Sequence, residues 1–203
     1  MSIFSFEQQY VFYGVYHRQK WNVLIVHLLA SAGHMVFVPI IVWTIAVWLS
    51  NTGELVSLPF VKLIPPYHGW VPEANGAFFG FAALLAYYMI LDPFATLFLT
   101  GICVLMFVTA GHFAANVPNH NLYALYAHVT GWTLQIFGHY YFEGRSPAFT
   151  ESLWQAVVVA PLFVWSELLF ALGYKPDMVH RLDAEITKMQ AIKFGTGKKD
   201  KEE

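Results

Sequence analysis

Charge is what this chain has least of. Only 12% of its 203 residues are Asp, Glu, Lys or Arg, against a usual quarter or so. Between Trp21 and Phe142 the formal charges are Glu54, Lys62, Glu73 and Asp92 alone. At roughly 2.5–3.5 kcal/mol per charge at the centre of a membrane helix, such sparsity is what insertion demands. With 57% hydrophobic residues and a mean hydropathy of +0.50, the composition predicts an integral membrane protein. Cysteine is nearly missing: Cys103 is alone, which excludes an intrachain disulfide and a Cys-based structural zinc site. No basic cluster interrupts the body and the net charge is −2, which argues against nucleic acid as a partner. The first twenty residues carry Glu7, Arg18 and Lys20 among aromatics and lack the apolar core and small-residue cleavage site of a signal peptide, so no segment is expected to be removed. There is no dinucleotide glycine fingerprint either.

What is present is a succession of apolar runs, which predicts an all-α fold. Phe6, Tyr10, Tyr13 and Tyr16 recur at helical spacing, as in an amphipathic helix lying at a membrane interface. Trp21 to Leu49 is long enough to span, since about 20 residues suffice, and Asn51-Thr52-Gly53 ends it. A proline-rich loop follows. Gly76–Leu91 and Phe94–Ala110 are apolar runs separated by Asp92-Pro93, a pair that bends or interrupts a helix. Each is short for a full crossing, so they read as a tight hairpin or one broken element. Residues 111–121 read as a polar loop, residues 122–142 as a half-inserted or paired segment, and Leu153–Leu172 as the last span, with Pro161 and Glu167 inside it. The expectation is a compact bundle of about four to five transmembrane or re-entrant helices with an N-terminal interfacial helix. Residues 1–176 form a single membrane-embedded domain, and 177–203 a polar cytoplasmic tail, disordered from Gly195. Basic residues flank both ends, which places both termini in the cytoplasm and makes the number of crossings even, with four preferred. Lys199 and Lys201 stand fifth and third from the end, a pattern resembling a dilysine retrieval signal of the endoplasmic reticulum membrane.

Nine histidines stand in this apolar chain, and ionisable groups at membrane depth usually mark function. His27, His34, His112, His128 and His139 lie in or beside apolar runs; His68 and His180 read as solvated. Geometry limits how they combine. His27 and His34 are about 10 Å apart along a helix axis, and His128 and His139 about 16 Å, at 1.5 Å per residue. Neither pair is a self-contained clamp, because ligands on one helix normally come three or four residues apart. A metal site must therefore draw single histidines from separate segments, one from His27 or His34, one from His112 and one from His139. All-imidazole ligation suits iron, zinc, copper or nickel.

The densest stretch is His128 to Phe149. His128, Trp132, Gln135, His139 and Phe142 share one helical stripe, and Glu143, Gly144, Arg145, Ser146 and Pro147 follow where a helix would stop. Gly131-Trp132, Gln135, Gly138-His139, Phe142-Glu143, Arg145 and Pro147-Ala148, followed by Ala160-Pro161 and Glu167, resemble the small endoplasmic-reticulum 2-hydroxy fatty acid dioxygenases of phytosphingosine breakdown. Phe12-Tyr13, Tyr16-His17 and Asn22-Val23-Leu24-Ile25 match a second part of that pattern, and His112 resembles the family's central histidine. Where the family carries a histidine directly after the Asn-x-Leu-Ile run, Val26 stands here, His27 comes next, and His34 with Pro39 fits the later half. His120 and His128 have no counterpart.

The resemblance implies an iron(II) enzyme that removes one carbon from long-chain 2-hydroxy fatty acids with dioxygen, in a membrane of the endoplasmic reticulum. It implies metal ligands among His17, His27, His34, His112 and His139, with Gln135, Glu143 and Arg145 as catalytic or substrate contacts. The stoichiometry closes: R-CHOH-COOH plus O2 gives R-COOH, CO2 and H2O, so the substrate supplies every electron and no further redox cofactor is needed. The competing expectation is a non-enzymatic membrane scaffold or small transporter whose intramembrane histidines join helices.

Overall fold

The computed structural model describes residues 2–17, 24–138 and 154–194. Among them the fold is all-α, with no strand beyond an isolated bridge between Tyr67 and Trp70. Seven α-helices run in chain order: α1 Phe6–His17, α2 Leu24–Ser50, α3 Gly76–Leu91, α4 Pro93–Asn116, α5 His120–Gly138, α6 Ala160–Ala171 and α7 Pro176–Phe194. A 3-10 turn spans Val61–Leu63 and a π-turn Gln155–Val159.

α2 to α5 form the bundle. α2 and α3 are joined over the top by the proline-rich loop, and α3 and α4 make the tight hairpin that Asp92-Pro93 allows. Asp92 is 1% exposed and its carboxylate accepts from Ala95 N–H at 3.2 Å, capping α4, while Pro93 stands where the helix has no use for an N–H. The same carboxylate accepts from the Tyr174 hydroxyl at 3.0 Å and from Lys175 Nζ at 2.9 Å, which ties the α6–α7 connection to the hairpin. Burial lowers the Lys175 pKa, but the Tyr174 hydroxyl and the Asp92 carboxylate outweigh it and the net shift is upward.

Three segments differ from expectation. The predicted polar loop at 111–121 is helix as far as Asn116, because Ala114 and Ala115 favour helix and the break comes only at Val117, which Pro118 pushes out of the helical region. α4 is thus 24 residues long and, among the described residues, the one helix long and apolar enough to cross a membrane; His34–Ser50, Gly76–Leu91 and Val157–Ala171 are shorter apolar runs. The aromatic stripe of α1 is core: Phe6, Tyr10 and Tyr13 are buried, with ring centroids 5.4, 5.2 and 5.3 Å from Phe163 of α6. On the other side α1 receives α7. Leu182 and Ile186 are buried there, Gln190 donates to the Val15 carbonyl at 3.0 Å and Arg181 pairs with Glu7 at 2.9 Å. Gly14 permits the approach, since a Cβ on it would lie 2.4 Å from Ile186 Cδ1. The polar tail is therefore helical as far as Phe194, with Leu182, Ile186 and Gln190 buried. The expected disorder from Gly195 concerns residues outside the described ones.

Candidate functional site

α2 and α5 pack antiparallel, and residues facing each other step one for one. Thr44 meets His128 at 2.8 Å, a Cβ on Gly131 would lie 3.1 Å from Ile41 Cγ1, and Gln135 shares a cavity with Val38. Continued at that pace, the end of α5 at Gly138 comes level with His34, which is buried. The described members of the stripe, His128, Trp132 and Gln135, face one neighbour, α2, while His139 and Phe142 lie outside the described residues.

Each polar member of the stripe plays a different part. The Trp132 indole N–H, which can only donate, gives its hydrogen to His128 Nε2 at 3.0 Å. A neutral His128 therefore carries its proton on Nδ1, donates it to Thr44 Oγ1, and the Thr44 hydroxyl donates on to the Ile41 carbonyl at 2.8 Å. Both ring nitrogens are occupied, so His128 clasps two helices. One turn beyond Trp132, Gln135 Nε2 is buried without a hydrogen-bond partner, a state that costs about 1–3 kcal/mol. It lines a cavity of about 20 Å³ with Trp132, Val38, Val42 and Pro161 among its walls.

Val38, Val42 and Pro161 also border a larger, almost wholly apolar cavity of about 210 Å³ between α2, α3, α4 and α6. Two prolines shape its wall. Pro39 has no N–H to return to the Met35 carbonyl, so α2 is weakened where the groove begins. Pro161 follows a π-turn, and the Val158 carbonyl of that turn accepts from the Tyr88 hydroxyl at 2.6 Å.

His112 lies elsewhere. α2 and α4 run parallel, with Trp43 Nε1 donating to Thr109 Oγ1 at 3.0 Å, so His112 stands about twelve residues above the level of His34, roughly 18 Å at 1.5 Å per residue. One metal ion cannot take both. His112 instead belongs to an aromatic cluster at the upper end, its ring 5.3 Å from Tyr67 and 5.6 Å from His68, with Asn116 Nδ2 3.2 Å from its Nδ1. His68 and Gly69 hold positive φ in a tight turn closed by Tyr67 and Trp70, and Gly111 leaves the space in which the Trp70 ring lies. His68, read from the sequence as solvated, is exposed, with its ring edge-on to Tyr67 and tilted against His112. His120 Nε2 contacts Asn51 Oδ1 at 2.8 Å and helps tie α5 to the end of α2.

His17 closes α1 and His27 lies in the first turn of α2; their side chains, and the whole of His139, Glu143 and Arg145, lie outside the described residues. Among the described residues no three His, Cys, Asp or Glu side chains converge as a metal site. The groove was not readable from sequence, because no single helix carries its signature. Its only linear traces are Pro39 and Pro161, each inside an apolar run.

A family model described as 2-hydroxy-palmitic acid dioxygenase Mpo1-like matches residues 3–172. The 2-hydroxy-palmitic acid dioxygenase MPO1 of Saccharomyces cerevisiae is 41% identical over 56 residues, 28% of this chain and 32% of the yeast protein, so the match spans about a third of that relative's length. No solved structure matches. With the family model covering most of the chain, and the matched region holding both the α2–α5 clasp and the groove, the protein belongs to the Mpo1-like family.

Proposed function

We propose that the protein is an iron(II)-dependent dioxygenase, embedded in the endoplasmic reticulum membrane, that converts long-chain 2-hydroxy fatty acids to acids one carbon shorter. The substrate class follows the descriptions of the family and of the yeast relative. Within the molecule one observation carries the reading: the unpartnered amide of Gln135 faces a cavity whose Val38 wall is one helical turn from buried His34, and that cavity borders an apolar groove. Polar groups for an acid head and an apolar space for its tail lie side by side.

The donor chemistry suits iron, since His34 is a buried imidazole and imidazole is a ligand iron accepts. His17 and His139 are the proposed companions of His34, and His27, two helical turns below His34 on the same helix, is the alternative to His34 rather than its partner. The support is that six residues separate the end of α1 at His17 from the start of α2 and that α5 ends at Gly138, level with His34. His112 is left out on distance. When bound, iron(II) supplies the redox chemistry through which dioxygen is engaged. The chain's residues position the substrate: Gln135 Nε2 donates to the carboxylate or 2-hydroxyl, Arg145 pairs with the carboxylate, Glu143 orients a ligand histidine, and Trp132, Val38 and Pro161 exclude water.

Membrane embedding is supported by large apolar side chains on the outer faces of the bundle. Ile90, Leu97, Leu105, Tyr126 and Phe137 are each more than half exposed, far more than a soluble surface gathers. The experiment is iron analysis of purified protein with His34→Ala and His112→Ala variants. Iron bound by the parent, lost from the first variant and kept by the second, is the expected result. A parent that binds no iron would return the scaffold or transporter reading.

A further inference from the structure

We propose that the 210 Å³ groove between α2, α3, α4 and α6 is the acyl-chain site of the enzyme and that its closed upper end sets how many carbons the protein grips. The inference rests on the proposed substrate class and goes beyond it by assigning the tail a place and a length. At the lower end the groove begins at Met35, the residue after His34, so an acid whose head lies by His34 and Gln135 has its first methylenes at the entrance. Met35, Ile102 and Leu168 rim that entrance and are 36–37% exposed. At the upper end Phe81 and Met106 close it, backed by the buried Phe107 and its neighbour Phe78, whose ring centroids are 6.0 Å apart.

The walls offer almost nothing polar. Tyr88, the most polar wall residue, spends its hydroxyl on the Val158 carbonyl. The space thus fits an alkyl chain and offers no partner to a second polar group. An apolar cavity of about 150 Å³ takes a benzene ring, so 210 Å³ takes about eight carbons. The remainder of a longer chain emerges past the Met35, Ile102 and Leu168 rim towards the lipid-facing side.

Cys103, the chain's single cysteine, lines the groove midway and provides a readout that needs no turnover. The protein in phospholipid nanodiscs is treated with methyl methanethiosulfonate while 2-hydroxy acids of increasing length are added, and the rate of Cys103 modification is followed by intact mass. Protection should be absent with 2-hydroxybutyrate, strengthen about fourfold in half-protective concentration for each added methylene, and level off near ten carbons. Met106→Ala should carry that plateau to longer acids, and Cys103→Ser should confirm the site of modification. Protection independent of chain length, no protection, or modification equally slow without added acid, as for a groove filled by phospholipid, would each overturn the proposal. Protection without conversion would leave the groove assigned and remove the activity. Conversion of 2-hydroxypalmitate with Cys103 unprotected would do the reverse.

Discussion

Gln135 separates stability from function more sharply than any other described residue. Its amide nitrogen is buried and unpartnered, so Gln135→Met, which keeps the shape and removes the polar group, is expected to raise stability by about 1–2 kcal/mol. The same change should raise the KM for a 2-hydroxy acid by removing a donor to its head, and thermal unfolding beside steady-state kinetics checks both. A variant that loses stability instead would mean that the amide has a structural partner. The neighbouring His128 shows what the sequence could and could not say at this scale. Period 3.6 puts His128, Trp132 and Gln135 on one face, and they are on one face. Nothing linear announces Thr44, eighty-four residues away, and it is Thr44 that uses the second ring nitrogen of His128 and makes it a clasp. Gln135 has no such partner, and the two residues are distinguished only by what α2 brings opposite them.

Among the elements, the α3–α4 hairpin is held by a single buried carboxylate. Asp92 caps α4 and receives both Tyr174 and Lys175, so one carboxylate holds the hairpin and the start of α7 together. Asp92→Ala is expected to cost about 2–4 kcal/mol, the sum of a lost cap and lost charged hydrogen bonds. Lys175→Ala should cost much less, because its side chain is 42% exposed and can return to water. Equal losses, read by chemical denaturation in detergent, would show that the ion pair rather than the cap holds the hairpin. The turn itself was legible, since Asp-Pro is a cap and a first helical position written in order. The end of α4 was not, because polarity at His112 and Asn116 marks an accessible face as readily as a loop, and only Pro118 carries a backbone reason to stop. α7 was illegible for a related reason: a strongly polar helix announces no burial, and its few apolar contacts meet α1 through the gap that Gly14 leaves.

The whole molecule is a bundle with two unlike ends. The upper end joins loops and helix starts through aromatic and amide contacts around His112, His68 and His120. The lower end holds His34, the Gln135 cavity and the entrance to the groove. The all-α fold was legible without difficulty, because the apolar runs announce helices along the sequence as a whole. Which histidines could meet was hidden until helix directions were known: α2 parallel to α4 separates His34 from His112, and α2 antiparallel to α5 brings Gly138 level with His34. Whether this lower end performs the proposed one-carbon shortening is tested by product analysis. Purified protein is incubated with iron(II), dioxygen and 2-hydroxypalmitate labelled at the carboxyl carbon. The account predicts pentadecanoic acid and one equivalent of labelled CO2 per O2 consumed. Unchanged substrate with iron(II) present, or a shortened acid that retains the label, would contradict it.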